Sequence, residues 1–160
     1  MRIGIIGPSK LKKEKEISKV VKIIADFGNE VVLTADRGSS SEFFGKKYLE
    51  LGGKKIYSII PLDDKEFGNG WVERIGEIIN CGTWRNQPEK LNEECDVLVS
   101  LGYSAGGLIE ICYSKWFKKK PVYILKEFID SELPKELEDS LNLKYLSIDE
   151  LGKKLEKQKV

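Results

Sequence analysis

Apolar positions along this chain follow two alternating patterns. Short continuous apolar runs, rich in β-branched residues, occupy 2–6, 30–35, 55–60, 97–101 and 122–125. Such runs predict strands buried on both faces. Between them the apolar residues spread to helical spacing. Ile17, Val20, Val21 and Ile24 follow i, i+3, i+4, i+7 and predict a helix over about 12–27, closed by Gly28-Asn29. A second helix is predicted over about 41–52, capped by the serines before it and stopped by Gly52-Gly53. Leu108, Ile111, Cys112 and Trp116 predict a third, starting at about Ala105.

The rest of the chain is less patterned. Residues 62–70 read as a loop, and 71–80 are ambiguous between helix and strand. A turn over 83–88 leads to a short helix over 89–94. A short helix near 135–141, a strand near 144–147 and a Lys/Glu-rich helix over 149–158 complete it. Strands alternating with helices predict one α/β domain over 1–160: a three-layer Rossmann-like parallel sheet with helices on both faces. Such sheets bind ligands at the carboxyl ends of their strands, where the strand order switches. The turns at Gly7, at 36–41 and at 102–107 all follow strands and fall on that edge.

The stretch from Cys95 to Glu110 carries the strongest chemical signal. A buried strand runs into the small-residue loop Gly102, Tyr103, Ser104, Ala105, Gly106, Gly107, and a helix starts there. Free N–H groups and the positive end of a helix dipole then meet at one point, which suits phosphate. The same loop matches G-x-S-x-G, the nucleophile elbow of serine hydrolases, at Ser104. That chemistry needs a histidine, and the chain has 0. The phosphate reading therefore ranks above a serine hydrolase.

Composition narrows the classes. The 160 residues are 41% hydrophobic and 33% charged, with a formal net charge of +1. No basic excess marks a nucleic-acid partner. The Lys-rich runs at 10–15, 118–120 and 153–159 read as solvated surface. Abundant Lys and Glu with 1 Met give a thermophile-like composition. Cys81, Cys95 and Cys112 show no paired spacing, and with no histidine they offer no metal site. They read as reduced core residues of a cytoplasmic protein. No run suggests a signal peptide or a membrane span.

Other candidates are weaker. Gly7, Pro8 and Ser9 form a turn that suits a phosphate or sugar, or simply ends a strand; no dinucleotide or P-loop fingerprint is present. Gly38 and Ser39 offer N–H and hydroxyl groups to an anion, although helix capping alone explains the serines. Glu110, one turn into its helix, can turn back to a sugar hydroxyl; Arg85 can reach a phosphate, a base or Glu110.

The strand, small-residue loop, x-x-Glu and helix, followed by Lys120-Pro121-Val122-Tyr123-Ile124-Leu125, resemble the LOG-like superfamily, also called lysine-decarboxylase-like. The opening 2–9 segment and the Gly52-Gly53-x-x-Ile-x-x-Ile-Ile-Pro run ending at Pro61 resemble it too. The likeness covers about 1–126. It implies nucleotide binding or, in many members, hydrolysis of the N-glycosidic bond of nucleoside 5′-monophosphates, with no metal or resident cofactor. The family motif is P-G-G-x-G-T-x-x-E with an upstream arginine. The resemblance carries these roles to Glu110 and Arg85 as catalytic residues, and the glycine loop to Gly106. Gly102, Tyr103 and Ser104 replace the Pro-Gly-Gly, Gly107 replaces the threonine, and Asn86 follows Arg85 where the family has lysine. These departures favour binding over hydrolysis. The family also implies a homodimer or higher homo-oligomer; Ile109, Tyr113, Trp116 and Phe117 exceed what one buried stripe needs.

Overall fold

A computed structural model describes residues 1–158. Seven strands form one sheet: β1 (Arg2–Ile6), β2 (Glu30–Leu33), β3 (Ile56–Ile60), β4 (Glu77–Asn80), β5 (Val97–Ser100), β6 (Pro121–Leu125) and β7 (Asn142–Leu146). The helices are α1 (Glu14–Asp26), α2 (Ser40–Glu50), α3 (Gln87–Glu94), α4 (Ala105–Tyr113), α5 (Lys135–Glu138) and α6 (Ile148–Gln158). Every strand pair is parallel, in the order β4-β3-β2-β1-β5-β6-β7. This is the three-layer Rossmann-like sheet that the alternating pattern predicts.

Side chains alternate across each central strand, so neighbouring residues enter different cores. Ile3, Ile5, Val31, Leu33, Val97 and Val99 face one layer. Ile6, Val32 and Leu98 face the other. The first core is closed by α1, with Ile17, Val20, Val21 and Ile24 fully buried, and by Leu151 and Leu155 of α6. The second is closed by Leu91 of α3 and Ile111 of α4. Burial on both faces explains why the central strands read as continuous apolar runs. The edge strands β4 and β7 are more exposed and carry Glu77, Asn80, Asn142 and Lys144.

From β1 the chain winds outward through β2, β3 and β4, then returns to place β5 on the other side of β1. The strand order switches between β1 and β5. Their loops diverge at that edge and leave a crevice.

Two expectations are corrected. Residues 62–70 do not form a plain loop: a π-helical turn spans Phe67–Trp71, and Val72 pairs antiparallel with Asp36. The Arg37 N–H donates to the Trp71 carbonyl at 2.9 Å, and the Glu73 N–H to the Ala35 carbonyl at 2.7 Å. That pairing is long-range, so no local pattern announces it. The helix expected through Trp116 ends at Tyr113, and a 3-10 turn over Ser114–Trp116 follows. The tighter winding swings Trp116 out of the buried stripe; it is 70% exposed.

Candidate functional site

Three loops close on one another at the β1/β5 switch. Gly7 ends β1 beside the start of α2. A Cβ there would lie 2.5 Å from the Ser41 amide nitrogen, so only glycine fits. Gly102 follows β5 with φ +119°, and a Cβ there would meet the Phe128 carbonyl oxygen at 3.0 Å and Pro8 Cγ at 3.2 Å. This one glycine lets the loops after β1, β5 and β6 touch. The Ser40 N–H donates to the Pro8 carbonyl at 3.0 Å and ties α2 to the same point.

The result is a cleft of about 420 Å³. Pro8, Ser9, Tyr103 and Ser104, four of the candidate ligand contacts, line it. Lys10, Lys12, Lys13 and Asp130 line it as well. The Lys13 ammonium donates to the Glu127 carbonyl. The Lys10 and Lys12 side chains are exposed and make no ion pair among the described residues. Ser104 caps α4: its hydroxyl accepts the Gly107 N–H at 3.1 Å. Ala105 and Gly106 are exposed at the first helical turn, so that end of α4 is open to an anion.

Gly38 and Ser39 lie apart from this cleft, on a separate depression of about 200 Å³. Ser39 is buried and caps α2 by accepting the Glu42 N–H at 3.1 Å, while the Glu42 carboxylate accepts the Gly38 N–H at 3.0 Å. That is a capping arrangement, with the polar groups already used.

Glu110 is half-buried on α4, and its backbone carbonyl accepts from the Asn92 amide at 2.9 Å. Burial, and next the charge of Asp36, push its carboxyl up to about 8. Asp36 follows β2 in a concave setting: solvent reaches it, yet protein surrounds it, and desolvation raises it to about 6. Arg85 lies in the 3-10 turn Trp84–Asn86, with its guanidinium carbon 5.7 Å from the Trp84 ring centre. It makes no ion pair with Glu110.

The site also holds residues that the sequence reading missed. The Lys-rich run at 10–15 reads as solvated surface; the position of Lys10, Lys12 and Lys13 just past the first strand was the available signal. Asp130 and its neighbours after β6 carried none.

No protein-family model matches the chain, and no curated protein matches it. Solved structures do. The molybdenum cofactor binding protein of the phototrophic bacterium Rippkaea orientalis superposes with a TM-score of 0.77 at 16% identity, covering 99% of this chain and 97% of that one. The Moco carrier protein of Chlamydomonas reinhardtii gives a TM-score of 0.75 at 20% identity, covering 98% of each chain. These likenesses show a shared fold over the whole chain, and it is the fold that the LOG-like resemblance implies.

Proposed function

We propose that this protein binds a phosphorylated small molecule in the cleft at the β1/β5 switch. The observation that carries this reading is one concavity lined by Lys10, Lys12 and the α4 cap residue Ser104. Paired cations and free N–H groups around one hollow complement a phosphate. A nucleotide, which the sequence resemblance suggests, and the molybdenum cofactor named for the structural neighbours both carry a phosphate and a planar ring system. Either is bound here as cargo or ligand, and no metal ligand from the chain is invoked. Ribose 5-phosphate should raise the melting temperature of the wild type, because a ligand of the folded state alone stabilises it. Replacing Lys10 and Lys12 together by alanine should weaken that binding about tenfold and flatten its salt dependence. An unchanged affinity in the double variant would sink the proposal.

Glu110 supports a second reading, hydrolysis of a nucleoside 5′-monophosphate. A carboxyl held near 8 beside one near 6 separates a protonated acid from an ionised base at neutral pH. Neither Glu110 nor Arg85 lines the basic cleft, which speaks against it. Release of free base from a nucleoside monophosphate panel, lost in Glu110→Ala, would establish turnover. The expected homo-oligomer would use the outer face of α4 and the turn after it, where Ile109 is 51% and Trp116 70% exposed. Sedimentation of Trp116→Lys tests that surface.

A further inference from the structure

A second cleft, of about 360 Å³, opens beside the first and shares Ser9 with it. Phe67, Trp71 and Trp84 line it, and they are 38%, 57% and 46% exposed. The Phe67 and Trp84 rings lie 5.7 Å apart between centres, tilted by 41°. Their backbone is held. Trp71 is paired to Arg37 across the short antiparallel bridge, and the Trp84 N–H donates to the Asp64 carboxylate at 2.7 Å. Large exposed aromatic side chains gathered on one concave surface present flat apolar faces to a ligand.

The polar residues lining this cleft are Ser9, Asp36, Arg37 and Gln87, and the Arg37 guanidinium is paired to Glu73 at 3.1 Å. The Asp36 carboxylate lines it and has no hydrogen-bond or ion-pair partner among the described residues. Gln87 lines it too, and its side-chain amide nitrogen is a buried donor without a partner. Buried donors are rarely left unpaired unless something else completes them. A carboxylate accepts two N–H bonds side by side, and an amide nitrogen donates to a carbonyl. A ring with adjacent N–H and amino donors and a nearby carbonyl answers both groups at once. That is the 2-amino-4-oxopyrimidine edge shared by guanine and by pterins.

We infer that the aromatic cleft takes the planar ring of the ligand whose phosphate occupies the basic cleft, and that Asp36 and Gln87 recognise a 2-amino-4-oxopyrimidine edge on it. This rests on the phosphate reading and adds the ring class to it. Ser9 sits where the two parts of the ligand join.

Calorimetric titration of the full chain tests it with guanosine 5′-monophosphate, inosine 5′-monophosphate, neopterin phosphate and ribose 5-phosphate. The guanine nucleotide or the pterin phosphate should bind about tenfold tighter than the inosine nucleotide, which lacks the amino group, because an unmatched polar partner is costly to a site. Whichever of the two binds tighter identifies the source of the edge. Asp36→Asn should erase the preference for the amino group and leave ribose 5-phosphate affinity unchanged; Trp84→Ala should weaken every ring-bearing ligand. Equal affinity for ribose 5-phosphate and all three ring compounds would overturn this inference and leave the phosphate reading standing. Equal affinity for the inosine and amino-bearing ligands would overturn the edge assignment. No binding of any of the four would overturn both readings.

Discussion

The two clefts that meet at Ser9 are built in opposite ways. The basic one is made of turns that directly follow β1, β5 and β6, and its glycines and its cap sit in short local motifs. The aromatic one draws Asp36, Trp71, Trp84 and Gln87 from three separate connections, joined by one antiparallel bridge and a side-chain cap. A parallel sheet supplies the first almost automatically, since each strand must end in a turn on the same edge. The second depends on how a long connection folds back over that edge. In this molecule the basic cleft follows from the fold, and the aromatic cleft from how this particular chain folds back.

The largest expected effect breaks the basic side at its hinge. Gly102→Ala places a side chain at φ +119°, 3.0 Å from the Phe128 carbonyl oxygen. The cost should be about 2–3 kcal/mol of folding stability, from backbone strain and overpacking together. Urea denaturation measures it, and a loss below about 0.5 kcal/mol would show that the three loops are not locked together there.

A smaller effect probes the coupling between the two sides. The Glu110 carboxyl is raised from 4.5 to about 8 in the folded protein. The folded state therefore holds the proton more tightly than the unfolded chain. Stability from this group is full below about 4.5, falls as pH rises, and is lost by about 8. Glu110→Gln should flatten that part of the melting-temperature profile and be the more stable form above pH 8. Asp36→Asn should move the Glu110 midpoint down, because the Asp36 charge is part of the cause. An unmoved midpoint would show the two sides to be electrostatically independent.

The smallest effect separates capping from binding. Ser39→Ala and Ser104→Ala each remove one helix cap, at about 1 kcal/mol. Only Ser104→Ala should also weaken ribose 5-phosphate binding, since Ser39 lies on a different depression. A fluorophosphonate probe should leave Ser104 unlabelled, its hydroxyl serving as the α4 cap.

Much of the fold is legible in residues that act within a turn or a strand. Ile3, Ile5, Val97 and Val99 announce buried strands, and Ile17 to Ile24 a one-sided helix. Gly7, Gly102 and Ser104 mark the edge where the strands end. Those signals come from side-chain periodicity, glycine geometry and capping, all of which operate over a few neighbouring residues. Together they determined the parallel sheet, its two helical layers and the position of the basic cleft. Only the tertiary structure decided the rest. Lys10 and Lys12 are exposed, and they line a cleft because the winding of the sheet set their loop against the loops after β5 and β6. Trp71 and Trp84 became one wall because the segment after β2 pairs with the β3–β4 connection and Asp64 holds the Trp84 N–H. Glu110 acquired its raised carboxyl because α4 carried it into low dielectric facing Asp36. Each of these depends on distances between segments far apart in the chain, and packing, not local pattern, sets those distances.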